Sequence, residues 1–267
     1  MYFCACQNHY AMRPIVTLIS DWRIRDPYIA MFKGTLLSYL PDAEIIDVSH
    51  VVDFFSLYQT AFLTQQSYRQ FPEGSVHILL TGVSCNSKAS PVVVEHDGHF
   101  FIGEDNGVFF MMFNTQFPVK SFQYKGDKKD LMGKIAHLTQ AVCHNEKESV
   151  TEEFDVSKFK RLFAPLPLHF PMDRKIEGEI VYIDANFNAI TNIPVEMFKD
   201  SVQNGSFQAV ITSNNEWKCQ IYHDTYLPEE EFYLTNNVLG CIEITMYQAK
   251  VAILADFKVG DKITINY

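Results

Sequence analysis

The sequence predicts an α/β domain with a mainly parallel sheet, followed by a small all-β, barrel-like domain. Three observations carry that expectation. Short apolar runs alternate with helical stretches through the first half, the pattern of a parallel sheet whose crossovers are helices. A proline-containing stretch, Ala164–Asp173, then interrupts the alternation. After it, strand-like runs follow one another closely, as they do in sandwiches and barrels. The expected boundaries are 12–165 for the α/β domain, 166–173 for the linker and 174–267 for the all-β domain, with 1–11 as a disordered extension.

In the first half, Ile15–Ile19 is an apolar, β-branched run and reads as a buried strand. Asp26-Pro27 reads as a helix start, a carboxylate cap followed by proline at the first helical position, with Pro41-Asp42 ending the helix after Tyr39. Glu44–Val48 is the next strand, Leu57–Arg69 the next helix and Val76–Leu80 the third strand. Asp97-Gly98 sits between Pro91–Glu95 and His99–Ile102 and signals a hairpin turn, because such turns need positive φ. Asp105–Phe113 reads as a capped helix and Leu131–Val142 as another. In the second half the expected strands are Gly178–Ile183, Phe207–Ile211, Trp217–Tyr222, Gly240–Met246 and Lys262–Asn266.

Composition narrows the function classes. The chain has 267 residues, 47% hydrophobic and 20% charged, within the ordinary globular range. Its 22 Lys+Arg against 32 Asp+Glu give a net charge of −10, which argues against nucleic acid as a partner, since phosphate contact draws on a basic surplus. No apolar stretch approaches the roughly 20 residues that cross a bilayer. Cys4, Cys6, Cys85, Cys143, Cys219 and Cys241 are scattered along a long chain and read as free thiols, which points to the cytoplasm. Met1–Ala11 lacks the basic and apolar regions of a signal peptide, and Met12 stands as an alternative start.

Few residues suggest chemistry on their own. Asp21 follows the first strand, where open α/β sheets bind ligands, and its carboxylate can accept both hydroxyls of a ribose; a plain strand-to-helix turn is the other reading. Asp184 and Asn188 lie in Ile183–Asn192, either as an ordinary hairpin loop or as a carboxylate and an amide offered to an amino acid's charged ends. His96 and His99 form half a metal site that nothing nearby completes, so a surface hairpin and no metal is expected. His50 reads as a packed or capping residue and His137 as a core or helix-surface residue, and Phe54-Phe55 and Phe109-Phe110 as core or as rings that stack on a purine. Neither a Gly-rich phosphate loop nor a Gly-x-Ser-x-Gly elbow occurs.

Taken in order, several segments resemble the S-adenosylmethionine hydroxide adenosyltransferases, the family that also contains the fluorinases and chlorinases. They are Thr17–Asp21 with Asp26-Pro27-Tyr28 and Lys33-Gly34, Pro41-Asp42-Ala43 with Ile46–His50, Phe71–His77, Gly103–Gly107, Gly178–Asp184 with Asn188 and Thr191-Asn192, and Gly240–Ile244. The resemblance runs from Met12 to Tyr267. It implies a homotrimer that binds S-adenosylmethionine, or adenosine, between one subunit's α/β domain and its neighbour's β domain, with no further cofactor. It implies Asp21 on the ribose hydroxyls, Phe55 against the adenosyl group, and Asp184 and Asn188 on the methionine portion. The reaction it implies is attack on the ribose carbon that bears the sulfonium, releasing methionine.

The sequence departs from the family at the residues that orient or deprotonate water. The family's Asp and Arg positions read Gly82 and Ala89, and its His position aligns with Gln123 in Phe122–Gly126. Val238-Leu239 replaces polar residues that contact methionine in halide-using relatives. Three readings follow: an adenosyltransferase to water in which Ser84, Lys88 or Lys125 substitutes in part, a silent binder of S-adenosylmethionine or a nucleoside, or a different nucleophile received by the altered Gly82–Ala89 loop.

Overall fold

The structure is a computed structural model that describes residues 13–84, 87–113, 119–203, 205–226 and 232–267. The chain divides into two compact units, Met1–Leu162 and Phe163–Tyr267.

In the first unit the elements run β1 (Ile15–Ser20), α1 (Tyr28–Tyr39), β2 (Glu44–Ser49), α2 (Leu57–Ser67), β3 (Val76–Leu80), β4 (Val92–His96), β5 (His99–Gly103), α3 (Val108–Phe113), β6 (Lys120–Tyr124), α4 (Leu131–Cys143) and β7 (Thr151–Glu153). Among the described residues the sheet has seven strands in the order β2-β1-β3-β5-β4-β6-β7. β2, β1, β3 and β5 are mutually parallel, while β4, β6 and β7 are antiparallel additions. Helices cover both faces, so β3 is buried at every position, which is why it reads as a continuous apolar run. Successive residues serve opposite cores: Leu18 and Ile78 pack with Phe32, Leu36 and Ile135, whereas Ile19 and Leu79 pack with Phe101 and Phe109.

The second face carries a buried polar cluster. His77 and His99, both nearly inaccessible, join Thr17 in a chain: Thr17 Oγ1 to His77 Nδ1 at 2.8 Å and His77 Nε2 to His99 Nδ1 at 3.1 Å. The turn between β4 and β5 is the expected one, with Asp97 at φ 49° and Gly98 at φ 76°. The hairpin's histidines need correction, however: His99 is not on the surface but under Tyr68, whose ring centroid lies 5.2 Å away. No group of three or more potential ligands is placed to hold a metal among the described residues.

The second unit contains β8 (Leu168–Phe170), β9 (Lys175–Ile183), β10 (Ala189–Pro194), α5 (Val195–Val202), β11 (Gln208–Thr212), β12 (Glu216–Cys219), β13 (Tyr222–His223), β14 (Tyr233–Asn236), β15 (Cys241–Thr245), α6 (Val251–Leu254) and β16 (Lys262–Asn266). Its sheet follows β12-β11-β16-β9-β10-β15-β14-β13, with β8 attached to β9. Along one edge of β9, β8 pairs with Lys175–Glu177 and β10 takes over from Ile180, which curls the sheet around an isoleucine-rich core. Gly178 lies at that changeover. A Cβ there would stand 2.5 Å from Ile193 Cγ1, so the close approach requires glycine.

The fold class is therefore as the sequence predicts, and the corrections are local. Leu168–Phe170, inside the stretch read as a linker, is a strand. Helix α1 starts at Tyr28 with Pro27 at its cap position and no side-chain cap, so Asp26 does not cap it. Helix α3 starts at Val108, whose N–H donates to Asn106 Oδ1 at 3.3 Å, while the Asp105 carboxylate accepts from Lys160 N. Cys143, Cys219 and Cys241 are free thiols. Cys4, Cys6, Cys85 and the extension 1–11 lie outside the described residues.

Burial, with a smaller contribution from His99, lowers His77 to about 3, and burial lowers His99 as well. The unfolded chain binds these protons at an ordinary pKa of roughly 6.5. The two histidines therefore cost nothing above pH 6.5 and destabilise the fold as pH falls from 6.5 towards 3, by up to about 1.4 kcal/mol per pH unit for His77. Denaturant unfolding across that range should show a shallower acid decline for His77→Phe than for the unaltered chain.

Candidate functional site

The carboxyl ends of the parallel strands lie on one edge of the first sheet. The chain leaves β1 for β2 on one side and returns to β3 on the other, so the crevice between β1 and β3 is the topological switch point. Asp21 follows β1 there and is 6% exposed. Its Oδ2 accepts the Phe55 backbone N–H at 2.9 Å and the Gly82 backbone N–H at 3.1 Å. The other oxygen, Oδ1, takes no hydrogen bond among the described residues.

Both donors adopt unusual backbone. Phe55 has φ 61°, and the next residue, Ser56, caps α2 through Oγ accepting from Gln59 N. Gly82 has φ 68°, and a Cβ at that position would stand 3.1 Å from the Phe55 ring. Glycine at 82 is thus matched to an exposed phenylalanine at 55. A side chain there would be strained by its backbone and would press on that ring.

The loop after β3 is pinned along its described length. Thr60 Oγ1 donates to Thr81 Oγ1 at 2.6 Å and Asn106 Nδ2 to the Thr81 carbonyl at 2.8 Å. Trp22 Nε1 donates to the Val83 carbonyl at 3.1 Å, and Ser87 Oγ to Glu104 Oε2 at 3.2 Å. Lys134, buried on α4, donates to the carbonyls of Lys88 and Ala89 at 2.7 and 2.8 Å. The sequence reading missed Lys134. Its signal was a lysine among the buried positions Leu131, Ile135 and Leu138 of one helix face.

Neighbouring polar groups brace this edge. His50 packs as expected, with Nδ1 2.8 Å from Ser20 Oγ and Nε2 3.0 Å from Asp47 Oδ1. Partial burial pushes the Asp47 carboxyl up, but hydrogen bonds from Lys33 and His50 outweigh it and hold the carboxyl below its usual range. Ser20 is fully buried, so this Ser–His–Asp chain is a brace and not an exposed nucleophile. Gly82 and Ala89 share the loop after β3, whereas Gln123 lies on β6, three strands away from β3 in the sheet. His137 bonds the Tyr124 hydroxyl at 2.9 Å.

In the second unit, Asp184 and Asn188 belong to the loop between β9 and β10. Asp184 Oδ1 accepts from Asn186 N at 2.9 Å and Asn188 N at 2.8 Å, so the carboxylate folds its own loop. The Asn188 side chain is held by Thr245 Oγ1, which donates to Oδ1 at 2.8 Å. Asn188 lines a cavity of about 670 Å³ whose walls include Tyr226, Tyr233, Tyr247 and Lys250. That volume and its mixture of rings with a few polar groups suit a small organic ligand. The structure thus groups Asp21 with Phe55 and Gly82 in one unit, and Asp184 with Asn188 in the other.

The model of the SAM hydroxide adenosyltransferase N-terminal domain matches residues 16–152, and that of the C-terminal domain matches residues 178–264. The chain is 33% identical over 100 residues to the (R)-S-adenosyl-L-methionine hydrolase of Methanocaldococcus jannaschii, a match covering 36% of this chain and 38% of that protein. It is 27% identical over 111 residues to the (R)-S-adenosyl-L-methionine hydrolase of Thermus thermophilus, covering 42% of this chain and 43% of that one. A fluorinase from Nocardia brasiliensis is 33% identical over 82 residues, covering 31% of this chain and 27% of the fluorinase. The chain thus spans less than half the length of each of these curated relatives. Among solved structures, an uncharacterized conserved protein from Thermotoga maritima superposes with a TM-score of 0.80 at 20% identity, over 95% of this chain and 100% of that one. A conserved hypothetical protein from Thermus thermophilus does so at 0.69 and 21%, over 95% of this chain and 100% of that one. These two likenesses establish the fold.

Removing the acceptor that joins two strand ends should be felt in stability. Asp21→Ala leaves the N–H groups of Phe55 and Gly82 without their partner and is expected to lower unfolding free energy by about 2 kcal/mol, read by denaturant titration. Asp21→Asn, which keeps one acceptor oxygen, should recover most of it.

Proposed function

The chain belongs to the SAM hydroxide adenosyltransferase family, and on that premise we propose that it binds S-adenosyl-L-methionine and transfers the adenosyl group to water, giving adenosine and methionine. The observation that carries this reading is the Asp21 carboxylate at the β1/β3 switch point, buried, fixed through Oδ2 and with Oδ1 left over for a ribose hydroxyl. Phe55, tied to the same carboxylate, offers an exposed ring to the adenosyl group. Asn188 addresses the methionine portion from the cavity of the second unit, and Asp184 shapes the loop that presents it.

The chemistry asks little of ionisable side chains. Water attacks the ribose carbon that carries the sulfonium, the carbon–sulfur bond breaks, its electron pair stays on sulfur as methionine departs, and the water's proton passes to solvent. A sulfonium is a good leaving group, so alignment and desolvation do most of the work. The absence of ionisable side chains at Gly82 and Ala89 removes general-base help, typically worth about 10²–10⁴ in rate, and slow turnover is the expected consequence. That same absence favours a second reading, in which the protein holds S-adenosylmethionine without cleaving it.

As further parts of the reading, the chain assembles as a homotrimer and works in the cytoplasm. Free Cys143, Cys219 and Cys241 suit a reducing compartment, and no helix among the described residues is long and apolar enough to cross a membrane. Light scattering should then give three times the 30.7 kDa chain mass.

Incubation with S-adenosylmethionine, followed by chromatography, should yield adenosine and methionine above a buffer control, and Asp21→Ala should reduce the yield at least tenfold. Ligand-dependent thermal stabilisation without product would support the silent binder. Neither product nor stabilisation would overturn both readings.

A further inference from the structure

The cavity of the second unit has a buried carboxylate behind its wall. Glu243 sits on β15, between β10 and β14, and is wholly inaccessible. Among the described residues it forms no ion pair. Two neutral donors hold it instead: the Tyr226 hydroxyl donates to Oε1 at 2.8 Å, and Asn237 Nδ2 donates to Oε2. A buried carboxylate without a cation is a poor way to stabilise a sheet, because an apolar side chain of similar volume avoids the desolvation penalty altogether. Burial accordingly pushes the Glu243 carboxyl up, and the two hydrogen bonds offset only part of that rise.

What the carboxylate achieves is placement. Tyr226 is 54% exposed, yet its ring forms part of the cavity wall. An exposed aromatic side chain explores several rotamers unless something holds its far end. A charge-assisted hydrogen bond to a residue fixed in the middle of a sheet supplies that hold. On the other side, Asn237 ties the same carboxylate to the turn before β15, where Asn237 Oδ1 accepts Leu239 N at 2.7 Å.

We propose that Glu243 is a positioning residue for ligand binding, acting through the Tyr226 hydroxyl to keep that ring in place as a preformed wall of the cavity beside Asn188. The inference rests on the reading that this cavity receives part of S-adenosylmethionine. Preorganising the ring spares the ligand the entropy of ordering it, so Glu243 raises affinity without touching the ligand.

Calorimetric titration with S-adenosylmethionine, below the melting temperature, tests this on four chains: unaltered, Glu243→Leu, Tyr226→Phe and the double variant. Each single variant is expected to bind about tenfold more weakly, the size of one hydrogen bond to a charged group. The double variant should bind no more weakly than Tyr226→Phe alone, because both changes remove the same bond. Glu243→Leu should melt no lower than the unaltered chain while binding worse, a split that a purely structural glutamate would not give. Glu243→Gln, which keeps one acceptor oxygen, should recover part of the affinity. If Glu243→Leu fails to fold, Tyr226→Phe and Glu243→Gln carry the comparison, since one alters an exposed residue and the other conserves shape. Unchanged affinity in the single variants, or additive losses of about a hundredfold in the double, overturns the inference while leaving the proposed function standing. Absence of binding by the unaltered chain overturns both.

Discussion

One carboxylate oxygen organises the end of the first sheet where the parallel strands terminate. Asp21 Oδ2 accepts two backbone N–H groups separated by 27 positions, from Phe55 and Gly82, and so joins the end of β1 to the segments that follow β2 and β3. A parallel sheet leaves its carboxyl ends as separate loops, and nothing in the strand ladders fixes those loops to one another. The bond pair at Asp21 does so. It also sets a conformational demand, since both donors sit at positive φ, where an L-residue other than asparagine or aspartate is uncommon.

That demand ties Gly82 to Phe55. Gly82 donates to Asp21 with its backbone at φ 68°, and the Phe55 ring fills the space a side chain at 82 would take. The ring at 55 and the glycine at 82 are two faces of one packing solution. A carboxylate at 82 would sit in the left-handed region and would need the Phe55 ring to give way by a few tenths of an ångström, so Gly82→Asp would press on the Asp21 clamp as well. Lys134 belongs to the same solution: its ammonium lies on the carbonyls of Lys88 and Ala89, at the far end of the loop.

How much of this the sequence revealed depended on the range of the interaction. β3 was legible to the residue because a strand covered on both faces must be apolar throughout, and the hairpin at Asp97-Gly98 because its turn needs left-handed residues. Asp21 stood out by position alone. The strand at Leu168–Phe170 was hidden by its prolines, which sit at or beyond its ends and leave the pairing with β9 intact. Helices α5 and α6 are short and were lost among closely spaced strands. His99 was misjudged because a two-residue turn is exposed by rule, whereas the residue after it has already entered the sheet. Lys134 and Glu243 were missed for a different reason: Lys134 is explained by loop carbonyls 45 and 46 residues away, and Glu243 by the Tyr226 hydroxyl together with the Asn237 turn, pairings that no local pattern announces.

Those last two residues make the same physical argument from opposite charges. Lys134 is a buried ammonium held by two carbonyls, and Glu243 a buried carboxylate held by a hydroxyl and an amide; neither has an ion-pair partner among the described residues. An isolated buried charge weakens a fold, and an apolar replacement would usually strengthen it. Such groups are kept where direction matters more than stability, because a charged donor or acceptor fixes its partners in a way that apolar packing does not. In both cases the partners belong to the candidate site: the carbonyls of the loop after β3, and the hydroxyl of the Tyr226 ring. Each unit thus gives up some stability beneath its own candidate site, which is what a binding surface assembled from loops requires in order to be rigid before its ligand arrives.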